Sequence, residues 1–400
     1  MSDRIVIVGG GIFGITAALE LDNRGYEVQL LEAGTVPAAD AASTDISKMV
    51  RVEYGTDEVY TELAETSISR WHEWNDRWRA EGRPAPFRDC GVLMLSREEM
   101  VEGDFEYESH RLLRSRGREV ERIGGEPLGA RFPAWSDRWA DGLLDPGGGY
   151  VESGAAVWLL AEEARRRGIE ILVRTPARRL LSQGNRVSGV EDAAGGRHEA
   201  DRVLLATGSW TGSFRTDLAA SLRRTYHPVW HLRPDDLDPF REDRFPVFTA
   251  DITRTAYYGF PLHPVHQVVK IGHHGDGLEL GDGADLTVPT ALTDAMRDFL
   301  AESIPALAEA EIVYARLCPY CDTTDLNFWI APDPERVGVT VAAGGSGHAF
   351  KFAPLLGQWI ADAVEGRESP LTARFRWRPE QHRAPTSGQR FDAARCRQES

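Results

Sequence analysis

The chain begins with a glycine-rich loop set between a buried strand and a helix. The sequence predicts a strand at Arg4–Val8 (RIVIV), a turn at Gly9–Gly14, a helix at Ile15–Gly25 and a second strand at Glu27–Glu32. Two parallel strands joined by a helix form a βαβ unit, which belongs to a sheet covered by helices on both faces. The N-terminal segment therefore predicts an α/β domain.

The glycines of this loop stand in the spacing of a dinucleotide-binding fingerprint. Gly9 allows a tight turn, Gly11 lets the backbone approach a pyrophosphate, and Gly14 lets helix and strand pack closely. Backbone amides at the helix N-terminus face the phosphate charge. Glu32 ends the second strand, where a carboxylate accepts hydrogen bonds from ribose hydroxyls and disfavours the extra phosphate of NADP. FAD and NAD both fit this motif, and the ATG at Ala206–Gly208, after its own buried strand, favours FAD.

The same pattern of buried strands and amphipathic helices is found again later in the chain. A helix is predicted at Val157–Arg167, with basic residues in its last turn, followed by a strand at Ile169–Val173. Further buried strands are predicted at Arg202–Thr207 and Val337–Ala343, and a helix at Pro354–Val364. These segments predict that the dinucleotide domain is assembled from separated stretches.

Between these stretches the hydrophobic pattern alternates. Segments such as Gly91–Leu95 (GVLML) and Gln267–Gly272 (QVVKIG) read as strands of a mainly antiparallel sheet, interrupted by helices such as Thr293–Glu302. The predicted fold class is α/β with an α+β second domain: a Rossmann-like domain with an inserted, mainly antiparallel substrate domain. The predicted boundaries are 1–85, 149–222 and 322–377 for the first domain, 86–148 and 223–321 for the second, and 378–400 for a polar C-terminal tail.

The amino-acid composition argues against some classes of binding partner. The net charge of −16 and the absence of a basic stripe argue against nucleic acid and anionic membranes, because phosphate binding needs clustered Lys and Arg. No apolar run is long enough to cross a bilayer, and a strand starting at Arg4 leaves no room for a preceding signal peptide. Four scattered cysteines are too few for a disulfide framework. We expect a cytoplasmic protein, monomeric or a small homo-oligomer.

With these features in view, the chain resembles the FAD-dependent amine oxidases of the sarcosine oxidase group, within the D-amino-acid oxidase superfamily. This group includes N-methyltryptophan, pipecolate and fructosyl amino acid oxidases. The resemblance covers about Arg4 to Gly366 and rests on five blocks of sequence: VIVGGGIFGITAALEL, STDISKMVRVEYG, YYGFP…VVKIGHH, RLCPYCDT and AAGGSGHAFKFAP. It implies FAD as cofactor and a small amine or amino acid, with O₂, as partners.

Cys318 lies where this group attaches a cysteine to the flavin 8α-methyl through a thioether, and the resemblance therefore implies covalent FAD. The alternatives are a buried apolar cysteine or, with Cys321, a C-x-x-C redox or metal pair. Zinc needs about four ligands, and the sequence offers no second Cys or His pair with suitable spacing. A thioredoxin-like pair would stand at a helix start, whereas this pair is predicted between an extended segment and a loop. We predict the tether at Cys318 and a structural role for Cys321.

A lysine inside the apolar strand QVVKIG is unusual, because burying an ammonium group is costly. Taken alone, Lys270 would be a strand residue whose side chain faces solvent. The resemblance implies instead a lysine above the flavin ring, where a fixed positive charge stabilises superoxide as O₂ accepts its first electron. His274 and Tyr258 match further active-site positions of the family, and Tyr320 follows the tethering cysteine.

Two cations match the family positions that hold the substrate carboxylate. Arg51 offers a planar fork for two oxygens, while Lys351 supplies a point charge just beyond GGSGH. Lys48 stands where sarcosine oxidase has arginine, which weakens an assignment to sarcosine itself. For Arg51 the alternative is a helix-surface charge paired with Glu53 or Asp57.

Further residues are predicted at the two sites from the same blocks. With those above, the predicted cofactor-binding residues are Gly9, Gly11, Ile12, Phe13, Gly14, Glu32, Ala33, Ser43, Thr44, Lys48, Ala177, Cys318, Gly345, Gly347, His348 and Lys351. No metal is predicted, since His263 and His266 lie in a proline-containing loop without nearby carboxylates. Trp71, Trp74 and Trp78 are predicted as packing residues of an amphipathic helix, and Trp230 could line the substrate cavity.

The predicted function is a flavoprotein oxidase that converts the C–N bond of a carboxylate-bearing secondary or cyclic amine to an imine and reduces O₂ to hydrogen peroxide. N-substituted amino acids, imino acids and glycated amino acids all remain candidate substrates. The alternatives are an FAD-dependent dehydrogenase passing electrons to a carrier, a tailoring oxidase acting on a modified amino acid, and a flavin-binding subunit without turnover of its own.

Overall fold

A computed structural model of the chain describes residues 3–281 and 283–379. Within this part the chain forms two compact units. The first unit comprises the chain up to Ile46, Glu152–Thr225 and the chain from Pro319 onward. The second unit comprises Ser47–Val151 and Tyr226–Cys318.

The strands, in chain order, are β1 (Arg4–Val8), β2 (Glu27–Leu31), β3 (Lys48–Val50), β4 (Phe87–Arg88), β5 (Val92–Ser96), β6 (Glu121–Arg122), β7 (Asp141–Asp145), β8 (Gly149–Val151), β9 (Glu170–Leu172), β10 (Ala177–Gln183), β11 (Arg186–Asp192), β12 (Arg197–Glu199), β13 (Arg202–Leu205), β14 (Leu222–Arg233), β15 (Val247–Ala250), β16 (Tyr257–Phe260), β17 (Val269–His273), β18 (Glu311–Thr323), β19 (Trp329–Pro332) and β20 (Val339–Ala343). The α-helices are α1 (Ile12–Asn23), α2 (Glu58–Ala80), α3 (Phe105–Ser115), α4 (Gly125–Arg131), α5 (Ser153–Arg166), α6 (Thr211–Phe214), α7 (Ile252–Thr255), α8 (Thr290–Ser303), α9 (Ala353–Glu365) and α10 (Thr372–Phe375).

The first unit is built on a six-stranded sheet in the order β19-β20-β13-β1-β2-β9. Its strands are parallel except for β19, which pairs antiparallel with β20. A smaller antiparallel sheet, β10-β11-β12, accompanies it. The β-branched run in β1 is buried, as expected for a strand covered on both faces. This unit is the predicted Rossmann-like domain.

The glycine loop is shorter than predicted, because α1 already begins at Ile12 rather than Ile15. Ile12 and Gly14 therefore belong to the first helical turn, with Gly11 as the residue that caps it. Helix starts are read from capping side chains, and here the cap is a glycine without a side chain, so the sequence signal was weak.

The second unit is built on an eight-stranded sheet in the order β18-β14-β17-β16-β15-β5-β7-β6. The pairings described are antiparallel except for the parallel pair of β15 with β5. One apolar core covers a face of this sheet, and aromatic rings fill much of it. Trp135 stacks on Phe245 at a centroid distance of 5.5 Å and meets Phe248 edge-on at 4.7 Å. Burying such rings contributes roughly 1.5–3 kcal/mol each. The mixed α/β class, with a mainly antiparallel second sheet, is confirmed.

The division into units differs from the predicted boundary after residue 85. Residues from Ser47 onward belong to the second unit, because β3 pairs antiparallel with β8 and β8 also pairs with β4. A three-residue strand such as β3 carries too short a pattern to be read from sequence. Trp71 and Trp78 are fully buried on α2, in agreement with their predicted packing role.

Two local predictions were wrong. The pair Cys318 and Cys321 lies inside the long strand β18, where side chains three residues apart point to opposite faces, rather than between a strand and a loop. Arg378, predicted to start a polar tail, is buried, donates two hydrogen bonds to the carboxylate of Asp325 and lies over the ring of Trp329 at 5.1 Å. The predicted tail from residue 380 onward lies outside the described residues. In the described part of the chain, no helix is both long and apolar enough to span a membrane.

Candidate active site

The glycine loop of the first unit needs glycine for steric reasons. Gly9 has a positive φ of 107°, and a Cβ there would lie 2.4 Å from the carbonyl oxygen of Ala206. A Cβ on Gly14 would lie 1.9 Å from the carbonyl oxygen of Gly9. Both distances are far below any normal contact, so the loop can pass between β1, β13 and α1 only without side chains. By contrast, a Cβ at Gly11 would meet only the hydroxyl of Ser43, at 3.2 Å.

Polar side chains converge on this loop. The amide of Ile12, at the N-terminus of α1, donates to Ser43 Oγ at 2.9 Å. The Glu32 carboxylate accepts from the amides of Gly10 at 2.7 Å and Gly34 at 2.8 Å. The first amides of a helix have no partner within the helix and carry partial positive charge. The arrangement is therefore suited to a pyrophosphate, with a carboxylate beside it for a ribose.

A second glycine loop follows β20 and reaches the start of α1. A Cβ on Gly345 would lie 3.6 Å from the ring of Phe13. His348 is buried, its Nε2 lies 3.0 Å from the carbonyl oxygen of Leu326, and its ring stacks on Phe328 at 4.7 Å. Gly347 has a positive φ of 71°, which glycine adopts at little cost. The loop thus brings the predicted block GGSGH beside Phe13, as a cofactor site requires.

The remaining predicted site residues of the first unit differ in how deeply they are buried. Lys351 lies in a short turn before α9 and is buried, with its ammonium 5.6 Å from the ring centroid of Phe352. Tyr320 is buried in β18. Ala33 is exposed beside Glu32, whereas Thr44 and Ala177 are half-buried; these three stay predictions.

In the second unit, the sheet register places several predicted residues on one face. Tyr258 lies opposite Gly272, and Lys270 lies opposite both Phe260 and His231. Because side chains alternate along a strand, these residues share the face opposite the apolar core. Trp230 lies opposite Ile271 on the core face, where its indole donates to Thr293 Oγ1 at 3.1 Å. Trp230 therefore does not share the face of Lys270.

Lys270 is buried, with 1% of its surface exposed, so the solvent-facing alternative was wrong. Its Nζ donates to the carbonyl oxygen of Ser47 at 2.7 Å and lies 4.8 Å from the ring centroid of Phe260. A Cβ on Gly272 would lie 2.5 Å from the Tyr258 ring, so only glycine there leaves room for that ring. The strand thus holds one ammonium group in a dry environment, where its charge acts strongly.

A histidine of β14, His227, lies beside His274, which directly follows β17. His274 stacks on His227 at a centroid distance of 5.7 Å. Burial, together with the neighbouring His274 and His273, holds the pKa of His227 well below its usual value. His227 is therefore neutral at physiological pH and places an uncharged imidazole beside the predicted site residue.

Arg51 is buried in the segment that follows β3, and it is not on a helix. The helix-surface alternative was therefore wrong. Its guanidinium carbon lies 4.9 Å from the ring centroid of Tyr54 and 5.9 Å from that of Phe105. Of the two proposed partners, Asp57 caps α2 by accepting from the amide of Tyr60 at 3.0 Å, whereas Glu53 is a buried acid on which the charge of Arg51 acts. Arg51 is thus held by aromatic faces.

Cys318 is buried between two cations of the second unit. Lys48 Nζ lies 3.8 Å and Arg316 Nη2 lies 3.6 Å from its Sγ. Two cationic side chains are thus within contact distance of the sulfur. Since Ser47 accepts from Lys270, consecutive residues link the lysine site to the cysteine site. Cys321 packs into the apolar core of the first unit, where burial raises the pKa of its thiol to about 12, as suits a structural residue.

Several residues of these sites were missed by the sequence analysis: Ser47, Phe260, Arg316 and His227. Ser47 and Phe260 contact Lys270 across strands, for which the sequence carries no local signal, whereas Arg316 stands two residues from Cys318 on β18, where strand alternation could have found it. One signal was overlooked. Of the 46 Lys and Arg residues only three are lysine, and these are Lys48, Lys270 and Lys351.

Two cavities of the second unit are lined by none of the predicted catalytic or cofactor-binding residues. One, of about 570 Å³, is lined by residues including Phe87, Arg88, Cys90 and Glu242. The other, of about 450 Å³, borders Trp230 on the core face of the sheet. Among the described residues, no group of three or more His, Cys, Asp or Glu side chains could hold a metal ion.

Comparison with known proteins decides the family. The sequence model of the FAD dependent oxidoreductase (DAO) family matches residues 4–363. The chain belongs to this family. It is therefore an FAD-dependent oxidoreductase, and the predicted resemblance is confirmed.

Named members of the family are similar to this chain over nearly its whole length. L-saccharopine oxidase of Schizosaccharomyces pombe is 28% identical, and the alignment covers 94% of this chain and 96% of that protein. Monomeric sarcosine oxidase of a Bacillus species is 25% identical, covering 91% and 92% respectively. The fold is similar to the crystal structure of fructosamine oxidase (Amadoriase II) from Aspergillus fumigatus, with a TM-score of 0.80, 25% identity and coverage of 95% and 90%.

The first unit fits the FAD of this family. The space at Gly11, the amides at the start of α1 and the hydroxyl of Ser43 suit the pyrophosphate, and Glu32 suits the ribose. These residues would hold the adenine dinucleotide end of the cofactor.

Proposed function

We propose that the chain is a flavoprotein oxidase that converts the C–N bond of a carboxylate-bearing secondary or cyclic amine to an imine, with O₂ reduced to hydrogen peroxide. The observation that carries the proposal is the buried Lys270, which shares a sheet face with Tyr258 and is held by Ser47. It is supported by the similar proteins, which are named as oxidases of saccharopine, sarcosine and N-methyl-L-tryptophan.

In this reaction the substrate loses a hydride from carbon and a proton from nitrogen. O₂ takes up two electrons and two protons and becomes hydrogen peroxide. FAD, when bound, would carry the electron pair from the substrate to O₂. Water then hydrolyses the imine to a carbonyl compound and an amine. The chain contributes positioning and electrostatics.

Arg51 and Lys351 are proposed to hold the substrate carboxylate. The guanidinium of Arg51 is a fork of parallel N–H donors, and aromatic faces on Tyr54 and Phe105 fix its plane. His274 and Tyr258 are proposed to shape the cavity around the amine. The neutral His227 adds no positive charge there.

Lys270 is proposed to act on oxygen. Its ammonium group is fixed by Ser47 and shielded from water. It can therefore stabilise the anion that forms when O₂ accepts an electron, because the ammonium group does not have to move during the reaction. Lys270→Met in the reduced holoenzyme is expected to slow reoxidation by O₂ by two to three orders of magnitude, on the order of what removal of one preorganised charge or donor costs. Unchanged reoxidation would favour a dehydrogenase that passes electrons to a carrier.

We further propose that Cys318 tethers the flavin. The new C–S bond replaces the S–H bond and one C–H bond of the 8α-methyl, and O₂ takes up the two electrons and two protons released. The proposal is supported by the position of Cys318, which is buried beside Lys48 and Arg316. Acid precipitation tests the tether: yellow colour should stay in the pellet for the native chain and leave it for Cys318→Ser, with Cys321→Ser as the matched control that keeps it.

The substrate is tested by a peroxide assay across N-methyl amino acids, cyclic imino acids and glycated amino acids. Turnover of any one class identifies the substrate class. If the natural substrate is instead a modified amino acid of a tailoring pathway, we expect only weak peroxide production from all three classes of compound. Holoenzyme that produces no peroxide but reduces an artificial electron carrier with an amino acid would establish the dehydrogenase instead.

A further inference from the structure

The segment that carries Arg51 also carries a buried acid that the proposed reaction does not use. Glu53 has no exposed surface, and neither carboxylate oxygen has a hydrogen-bond partner among the described residues. Burying a carboxylate without hydrogen bonds is costly, so such a group takes up a proton instead. A fully buried, unbonded acid two residues from the proposed carboxylate-binding arginine calls for a role.

The segment has no freedom to turn Glu53 toward solvent. The Tyr54 ring stacks on Tyr60 at 5.3 Å, and the amide of Gly55 donates to Ser109 Oγ on α3 at 2.9 Å. Arg51 itself lies against Tyr54 and Phe105. Glu53 therefore stays buried in both of its protonation states.

Three charged groups act on Glu53. Asp145, at the end of β7, is buried and accepts two hydrogen bonds from Arg118, at 3.0 and 3.1 Å. Arg51 supplies the third charge. Burial first, and then Asp145, raise the pKa of Glu53 to about 7, while Arg51 and Arg118 oppose them. With Glu53 neutral, the four groups carry one net positive charge; with Glu53 ionised, they carry none.

We propose that Glu53 is a positioning residue that couples binding of the substrate carboxylate at Arg51 to the uptake of one proton. A bound carboxylate brings a second negative charge to Arg51 and disfavours the ionised form of Glu53. By linkage, protonated Glu53 makes the site bind carboxylates more tightly, and carboxylate affinity falls as the pH rises through neutrality. The proposal rests on the proposed function of Arg51 as the carboxylate-binding residue.

The test uses the holoenzyme and benzoate, a carboxylate that has no amine to titrate or oxidise. Isothermal titration calorimetry in two buffers of different ionisation enthalpy measures the protons taken up per benzoate bound. At about pH 8 we expect uptake approaching one proton, and about none at pH 5.5, with Kd rising up to about tenfold per pH unit between these limits. This measurement on the native chain needs no variant, and binding without proton uptake at about pH 8 would overturn the proposal.

Two variants assign the proton. Glu53→Gln should bind benzoate with a Kd that no longer changes with pH and with no proton uptake; persistent uptake would assign the proton elsewhere and overturn the proposal. Glu106→Gln is the matched control, because Glu106 is also a buried acid whose pKa is raised to about 7, yet its charged neighbours are Asp104, Asp251 and Arg254. It should keep the native pH profile.

Arg51→Gln separates the two proposals. Loss of benzoate binding in this variant supports the carboxylate site, whatever Glu53 does. If Arg51→Gln binds benzoate as the native chain does, the proposed function of Arg51 fails. If Arg51→Gln loses binding while Glu53→Gln keeps the native pH profile, only the coupling fails.

Discussion

Glu106, in the first turn of α3, provides a quantitative test of how the fold handles buried charge. It is 4% exposed, and its Oε1 has no hydrogen-bond partner in the described part of the chain. Burial, the largest cause, raises its pKa from 4.5 to about 7, with Asp251 and Asp104 adding to the rise. The folded chain therefore holds a proton that the unfolded chain releases more readily.

The sign of the effect follows from linkage. A raised pKa contributes stability below the unfolded pKa of 4.5, and that contribution is lost as the pH rises through about 7. The shift of about 2.5 pKa units corresponds to about 3 kcal/mol at most, at roughly 1.4 kcal/mol per unit. Between about pH 5.5 and about pH 8.5, about 2 kcal/mol of this is lost.

Glu106→Gln removes the titration and keeps the shape of the side chain. The buried amide costs free energy of its own, but by the same amount at every pH, so the difference between pH values isolates the carboxyl. We expect the free energy of unfolding of the variant, relative to the native chain, to rise by about 2 kcal/mol from about pH 5.5 to about pH 8.5. Urea denaturation followed by tryptophan fluorescence measures it.

A matched variant on the same helix is Glu108→Gln. Glu108 is also buried, but its carboxylate accepts from the amide of Gly103 at 3.0 Å and from Arg111 at 2.8 Å. Glutamine keeps one acceptor oxygen and carries no charge, so the replacement removes one of these hydrogen bonds and should destabilise the chain at both pH values. If the relative stability of Glu106→Gln is the same at both pH values, Glu106 is not the buried, proton-holding group described here.

Two further predictions concern burial and packing. Because Lys270 and Lys351 are buried, reductive methylation of the native chain should modify them at least about tenfold more slowly than Nα-acetyl-lysine added as an internal reference; mass spectrometry measures this, and equal rates would contradict their burial. A Cβ on Gly357 of α9 would lie 2.5 Å from the carbonyl oxygen of Thr16 on α1, so Gly357→Ala should cost about 1–3 kcal/mol in urea unfolding. Gly129→Ala, with nothing within 4 Å of the added Cβ, is the control that should cost little, and equal losses in the two variants would argue against the close packing of α1 on α9.

The parts of the fold that the sequence predicted are those encoded locally. β1 matches the predicted Arg4–Val8, and the helix at Thr293–Glu302 is observed at Thr290–Ser303. A hydrophobic period or a glycine spacing acts within a few residues, so it is visible in one stretch of chain. The start of α1 was misplaced because no capping side chain marks it.

The contacts of the site depend on register, which no local pattern shows. Lys270 donates a hydrogen bond to Ser47, which lies 223 residues away in the sequence. This contact depends on the pairing of β14, β16 and β17 and on the path of the chain before β3. The same holds for the burial of Glu53. Taken from the strand pattern alone, Lys270 would face solvent, and the resemblance to a family was needed to predict its burial.

The lysine count contains information that spacing and periodicity lack. Wherever this chain needs an exposed cation it uses arginine, and lysine occurs only at positions 48, 270 and 351. An ammonium is a compact point charge with three donors, whereas a guanidinium is a planar fork with five. The Nζ of Lys270 makes a short bond to the carbonyl oxygen of Ser47 and lies beside the Phe260 ring. Because lysine is this rare in the chain and occurs only at predicted site positions, its distribution adds support for the proposed site beside that of the sequence blocks.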